Sequence, residues 1–423
     1  MSSNHKPRVL IIVPQSTYLD DNFVFPPLGA MVLKAHLDQA GISCDLEDEF
    51  DQSRDYSQYS HFGYSVITPN YPEALRIRGI LSQRYPTARH IIGGPHVANY
   101  DADHDGWDCI VRGDGQVPLQ RFVQGDPRKT YSRCEFTLKP HELIAPWRDS
   151  DFLARYRYLL GGEFRTTTLM SAYGCPMACA FCESARTKVR LKPVDLVAQE
   201  VHDCLDCGFE AIMFFDDIFA INNKRVREMT SILAPLPIHF RCFVHARNFD
   251  DEMAQMLAYA GCVEIGYGAE HAHQKILDNV NKKTTVQANY DVVTTAHRHG
   301  IRVKSFLMVG LPGEDHDTLA ALEEFIATSG VDDFDLGIYY PYRGTHIRDH
   351  LARYDLQITS LDNTLGYYKG KQGEAECCVR TSALNSDQIR QAKNNIYRKY
   401  NKRFRTEVSQ SSESAALQPS AAL

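Results

Sequence analysis

Short apolar strands alternate with amphipathic helices along most of this 423-residue chain. That alternation limits its fold more than any other feature, because strand–helix repetition builds parallel sheets with crossover helices. In the first part, residues 8–13, 43–46, 61–67, 90–92 and 107–111 read as strands. Residues 27–40 and 71–84 carry helical periodicity, and Gly41 is a helix stop after the first of them. Residues 1–130 are therefore expected to form a doubly wound, Rossmann-like α/β domain. Ligands on such sheets sit at the carboxyl ends of the strands. Here those ends carry Ser65, Thr68, Gly93, Gly94, Pro95, His96, Gly113 and Gly115.

After a linker at 131–162, the pattern restarts. Strands are expected at 166–172, 211–215, 239–244, 263–267, 303–309 and 334–339. Six strand–helix units across 163–345 predict a partial (βα)6 TIM-like barrel, with its active site at the strand C-termini. A small helical appendage is expected at 346–405, including a basic helix over 390–405. The stretch 406–423 is small and polar and predicts a disordered tail.

Directly after the first barrel strand comes Tyr173-Gly174-Cys175-Pro176-Met177-Ala178-Cys179-Ala180-Phe181-Cys182, a C-x3-C-x2-C run. Iron–sulfur clusters are held by cysteine thiolates, and three thiolates on a four-iron cubane leave one iron without a protein ligand. Such an iron can take a small molecule and pass it an electron. Zinc usually asks for four ligands in two pairs; Cys204 and Cys207, the nearest candidates, lie in an amphipathic helical stretch. Three buried core thiols are the remaining alternative. The spacing, with an aromatic residue before the third cysteine, resembles the radical SAM superfamily. That resemblance implies a [4Fe–4S] cluster on Cys175, Cys179 and Cys182. The open iron would chelate S-adenosylmethionine (SAM) and cleave it reductively to a 5′-deoxyadenosyl radical.

Three further strand ends carry candidate chemistry. Asp216 and Asp217 follow the second barrel strand; one can accept hydrogen bonds from the SAM ammonium, and an ordinary helix N-cap is the alternative. Gly266-Tyr267-Gly268-Ala269-Glu270-His271 ends the fourth strand, where Gly268 permits close approach and Glu270 can accept from ribose hydroxyls. Gly310-Leu311-Pro312-Gly313-Glu314 ends the fifth, and Gly310 offers backbone to an adenine edge. Phe181 would flank cluster and adenine, or simply pack.

The stretches EIGYGAEHAHQKILDNVNKKTT and GIRVKSFLMVGLPGEDHDTL resemble the cobalamin-dependent radical SAM enzymes. So do FPPLGAMVLKAHLDQAGISCDLED, IIGGPHVANY and DCIVRGDGQVPL in the first domain. The resemblance implies a cobalamin-binding type of first domain, with cobalamin among the residues at its strand ends. It also implies an external electron donor such as flavodoxin or ferredoxin. No Asp-x-His-x-x-Gly occurs, so that motif offers cobalt no histidine. Gly113-Asp114-Gly115-Gln116 stands where the family has a more acidic turn.

A net charge of −7 argues against a nucleic-acid partner. No run is apolar enough to span a bilayer, and no signal peptide is evident. Twelve cysteines in such a chain suggest a reducing, cytoplasmic setting. The expected activity is methylation of an unactivated carbon of a small-molecule substrate. A non-methylating radical reaction (rearrangement, cyclisation or dehydration) and a non-catalytic metal-binding scaffold are the alternatives. His96, His245, His271 and the Cys377–Cys378 pair read as packing or surface groups rather than catalysts.

Overall fold

A computed structural model describes residues 7–16, 21–99, 105–132, 135–360 and 376–400. The chain divides into two compact units. One comprises Met1–Tyr156 with Asp195–Cys207, the other Arg157–Val194 with Gly208–Leu423.

The first unit is built on β1 (Arg8–Ile12), β2 (Ser43–Glu47), β3 (His61–Ser65), β4 (Arg89–Gly93), β5 (Cys109–Val111) and β6 (Thr130–Tyr131). All pair in parallel, in the order 2-1-3-4-5-6. Both faces of the sheet are covered, which explains why β1 reads as an unbroken apolar run after Arg8. Leu10, Phe62 and Ile92 pack on one side, Val9, Ile11 and Ile91 on the other. The helix Leu28–Gln39 ends as its sequence predicts: Gly41 adopts φ +70°, and the Ile42 amide returns to the Leu37 carbonyl at 2.9 Å. Strand β6 was not foreseen; it pairs with β5 through Ile110 and Val111.

The second unit continues with β7 (Leu159–Leu160), β8 (Phe164–Leu169), β9 (Ala172–Tyr173), β10 (Arg190–Leu191), β11 (Ala211–Phe214), β12 (His239–Val244), β13 (Cys262–Glu270), β14 (Arg302–Val309) and β15 (Asp333–Ile338). Its sheet runs 15-14-13-12-11-8-7. The six parallel strands follow chain order, the half-barrel that the strand–helix repetition predicts. Strand β7, inside the expected linker, adds an antiparallel edge to β8. Residues 166–172, read as one strand, are two. The chain leaves the sheet after Leu169 because Ser171 is tied to Asp216, and β9 then pairs with β10 instead.

Alternate residues share the inner face of β12 to β15: Arg241 and Phe243, Glu264 and Gly266, Lys304 and Phe306. Charges cross its lower part, with Arg241 Nε 3.1 Å from Glu264 and Lys304 Nζ 2.7 Å from Asp333. Phe243 and Phe306 lie above them, 5.8 Å between ring centroids. Ile265, Tyr267, Val303 and Leu307 point the other way and are buried. No helix among the described residues is long and apolar enough to cross a membrane. Residues 386–400 are helical, as expected for the start of the basic helix. The rest of that helix and the tail at 406–423 lie outside the described residues.

Candidate functional site

The cysteine run occupies the loop between β9 and β10, whose two-pair ladder joins Tyr173 to Arg190 and Ala172 to Leu191. Gly174 opens the loop at φ +87°; a Cβ there would lie 2.5 Å from the Lys188 carbonyl oxygen. The Cys175 amide donates to Thr187 Oγ1 at 2.8 Å, and that hydroxyl donates to the Ser184 carbonyl at 2.7 Å. The loop's middle is braced from β13's following segment. Ala180 N donates to the Val280 carbonyl at 2.8 Å, and Asn281 Nδ2 to the Ala178 carbonyl at 2.7 Å. Cys179 is buried, while Cys175 and Cys182 are half-buried. Burial raises all three thiols, Cys182 to about 12, so they hold their protons until a metal displaces them.

Among the described residues, no three His, Cys, Asp or Glu converge on a single metal ion. Three thiols on one braced loop are donors of the kind that iron–sulfur clusters take.

The two carboxylates after β11 have different surroundings. Asp216 is buried, accepting from Ser171 N at 2.6 Å and Ser171 Oγ at 2.5 Å. Burial lifts its carboxyl to about 6 against those hydrogen bonds. Asp217 is exposed and accepts from Gly174 N at 2.9 Å, at the mouth of the cysteine loop. Asp216 thus anchors the chain as it leaves β8, and Asp217 is the carboxylate on the cysteine side.

Glu270 ends β13 in the left-handed region, φ +61°, a conformation costing about 1–2 kcal/mol for a residue with a Cβ. Its Oε1 accepts from Lys282 Nζ at 2.7 Å, and both side chains are buried. Burial works against the Lys282 charge, but the Glu270 carboxylate beside it outweighs burial and holds the ammonium above the ordinary lysine range. The Phe181 ring centroid lies 5.9 Å from the same ammonium. Gly268 leaves room here: a Cβ at that position would overlap the Glu270 carboxylate, which would have to shift away from Lys282. The structure therefore gathers Cys179, Cys182, Phe181, Gly268 and Glu270 around Lys282. Sequence reasoning missed Lys282. It stands twelve residues beyond Glu270 in a polar Asn-Lys-Lys turn, and only its quoted place in the resemblance marked the stretch.

His245, just past β12, accepts from Arg247 N through Nδ1 at 3.1 Å, so Nε2 carries the proton. Burial first, then the Lys282 and Arg247 cations, lower its pKa to about 3 and keep it neutral. Gly310, φ +84°, meets protein rather than open space: a Cβ would lie 3.2 Å from Val379 and 3.3 Å from Ile389. Its amide donates to Glu314 Oε2 at 2.6 Å, and Glu314 Oε1 faces His271 Nε2 at 3.2 Å, both fully buried. His271 is thus a core partner, as expected.

In the first unit, strand order reverses direction between β1 and β3, the switch point where open α/β sheets place their ligands. Asn70 ties the two flanking loops, donating to the Pro14 carbonyl at 2.8 Å and accepting from Ile67 N at 2.9 Å. Thr68 Oγ1 meets His96 Nδ1 at 3.1 Å, and the His96 ring stacks on Tyr71 at 4.0 Å. Ser65 and Gly93 pair at the strand ends, and Pro95 opens the following helix, exposed. The glycines have local causes. A Cβ on Gly94, φ +104°, would lie 2.5 Å from the Val66 carbonyl, and one on Gly115 3.1 Å from Leu33. Gly113 turns the chain at φ +138°. The switch-point loops carry the hydroxyls of Ser65 and Thr68, groups of a kind that can hydrogen-bond a polar ligand. The glycines themselves need no cofactor to explain them.

Residues 169–326 match the Radical SAM superfamily. The chain is 25% identical over 296 residues to an uncharacterized methyltransferase of Pyrococcus horikoshii, covering 64% of each chain. It is 26% identical over 288 residues to the anaerobic magnesium-protoporphyrin IX monomethyl ester cyclase of Cereibacter sphaeroides, covering 60% of this chain and 47% of the cyclase. The aligned stretch therefore spans less than two thirds of either relative. The fold is similar to the solved structure of the radical S-adenosylmethionine methyltransferase TsrM from Kitasatospora setae, with cobalamin and a [4Fe-4S] cluster bound. The TM-score is 0.71 at 17% identity, covering 85% of this chain and 78% of TsrM.

Proposed function

We propose, on the premise that this chain carries a radical SAM domain at residues 169–326, that it is a cobalamin-dependent radical SAM methyltransferase acting on an unactivated carbon of a small molecule. When bound, a [4Fe–4S] cluster supplies one-electron reduction of SAM and cobalamin supplies methyl transfer. Cys175, Cys179 and Cys182 would hold the cluster, and Ser65, Thr68, 93–96 and 113–115 the cobalamin. Asp217 accepts hydrogen bonds on the cysteine side, where the SAM ammonium would need an acceptor. Lys282 holds a positive charge beside the thiols, suited to the SAM carboxylate. Glu270 keeps that charge in place and offers its second oxygen to ribose. Phe181 shields the group from water.

The observation that carries this reading is the braced three-thiol loop beside the buried Lys282–Glu270 pair. A relative named as a cyclase favours a second reading, a radical reaction without methylation. Anaerobic reconstitution with SAM and cobalamin, followed by mass analysis of SAM products, tests both. Methylation releases S-adenosylhomocysteine beside 5′-deoxyadenosine. 5′-Deoxyadenosine alone supports the second reading. Neither product, from protein holding iron and sulfide, defeats both.

A further inference from the structure

Three glycines stand inside strands of the second unit's sheet, and two of them have a neighbour that explains them. A Cβ on Gly266 would lie 2.9 Å from the Phe243 ring and 3.0 Å from Arg241, and one on Gly268 would overlap the Glu270 carboxylate. Gly337 of β15 is different. Its φ lies outside the left-handed region. Among the described residues, a Cβ there would meet nothing closer than the Leu307 carbonyl oxygen at 4.0 Å. Glycine weakens a strand interior and normally marks a bulge or a close approach. Neither is present, since β15 pairs with β14 in unbroken register from Asp333 to Ile338. Gly337 leaves a space rather than a contact.

That space lies on the inner face. Gly337 pairs with Met308, as Asp335 does with Phe306 and Asp333 with Lys304. Lys304, Phe306, Met308 and Gly337 are half-buried, whereas Val303, Ser305, Leu307 and Val309 on the opposite face are buried. Toward the carboxyl ends the inner face changes from charged to aromatic to open. Lys304 Nζ lies 2.7 Å from Asp333 and 3.4 Å from Asp335. Phe243 and Phe306 follow, with the Arg241 guanidinium 5.5 and 5.7 Å from their centroids. Met308 and the space over Gly337 come next. Glu270 pairs with Leu307, the residue before Met308, so the space stands near the height of Glu270 and two strands along the sheet, about 10 Å at the usual strand spacing.

We propose that the recess over Gly337, walled by Phe306 and Met308, binds a flat aromatic ring of the substrate. Naming the occupant the substrate rests on the radical SAM reading; the binding site itself does not. Omitting one side chain from a strand leaves a slot one side chain wide, which a planar ring enters and a puckered or branched group fits poorly. A ring against Phe306 gains from edge-to-face or offset contact beyond its buried area, and the flexible Met308 thioether adapts to its edge. A charged group gains little here, because the cations and carboxylates below already face one another.

The test is equilibrium dialysis of the anaerobically reconstituted holoenzyme, with SAM present, against 2-naphthol and against decahydro-2-naphthol, the same skeleton saturated and puckered. 2-Naphthol should bind about threefold more tightly. Gly337→Leu fills the space and should weaken 2-naphthol binding about tenfold or more, with an unfolding midpoint no lower than that of the unsubstituted protein. Phe306→Leu keeps the apolar bulk and removes the ring. It should weaken 2-naphthol about threefold and bring the two probes level. Iron content and SAM affinity should be unchanged in both variants. Equal 2-naphthol binding by Gly337→Leu and the unsubstituted protein overturns the recess, and so does a lowered midpoint, which would show that the space is not free. Equal binding of the two probes by the unsubstituted protein overturns the preference for a flat ring. 5′-Deoxyadenosine formation is measured on the same preparation. Its absence defeats the radical SAM reading and leaves the dialysis to decide the recess.

Discussion

Both units place glycines at the carboxyl ends of parallel strands, yet those of the first unit answer to backbone and apolar packing, and Gly268 of β13 to a charged side chain. Gly94 lets the chain after β4 lie against Val66, and Gly115 leaves room for Leu33. Gly268 leaves room for the Glu270 carboxylate, which turns back to meet Lys282. The same sequence signal therefore has two causes. In one place it closes a loop, and in the other it frees the space in which a buried charge pair is assembled. Glycine-rich strand ends locate a ligand-binding rim without saying which glycines serve the ligand.

The sharpest way to break this comparison is to remove a thiol. Cys179→Ala should lower iron and sulfide to background and abolish 5′-deoxyadenosine formation. Retained SAM cleavage in that variant would detach the second unit's loop from any cluster. Next in size is Gly268→Ala. Displacing Glu270 leaves Lys282 buried and unpaired, a loss of about 3–5 kcal/mol, read as a lower unfolding midpoint in the apo-protein. Glu270→Gln is gentler. It should raise the SAM requirement roughly tenfold or more, as expected for a charged hydrogen bond, with iron content unchanged. Equal SAM affinity would remove Glu270 from the site.

Gly94→Ala should cost about 1–3 kcal/mol from its left-handed backbone, more if Val66 cannot move, and leave iron content intact. If denaturant titration shows full stability while cobalamin retention is lost, Gly94 serves a ligand after all and the contrast between the units disappears. A change in pH dependence is expected at Asp216. Its carboxyl is raised to about 6 by burial, above the unfolded value of about 4. Its contribution to stability is therefore fully present below about pH 4 and is lost as pH rises through about 6. The span corresponds to about 3 kcal/mol. Asp216→Asn keeps an acceptor for Ser171 N and offers a donor to Ser171 Oγ. It should flatten thermal stability between pH 4 and 7 and leave SAM binding to Asp217. A variant with the same pH slope as the unsubstituted protein would assign that slope elsewhere.

Much of this arrangement was legible in the chain. Unbroken apolar runs such as residues 9–13 become central parallel strands, and six strand–helix repeats become six strands in chain order. The cysteine spacing marked its loop before any coordinates. What escaped were partnerships over distance. Nothing local in Ser171 indicates that it will hold Asp216, 45 residues away, and end a strand early. Nothing local in Lys282 says that it alone of two adjacent lysines will be buried; Lys283 turns outward at φ +57° and is exposed. Such choices are made by tertiary packing, which a periodicity cannot register. The short strands β6 and β7 escaped for the opposite reason, because two residues carry no period at all.

The β9–β10 hairpin can be viewed as a clasp on chain entropy. Two residue pairs close a loop that runs from Gly174 to Val189. Closing a loop of that length costs roughly 2–3 kcal/mol. That cost is met by the protein's own ladder, by Thr187 and by Asn281, hydrogen bonds that involve no thiol. The same closure brings Cys175, Cys179 and Cys182, far apart in an open chain, onto one short arc of backbone.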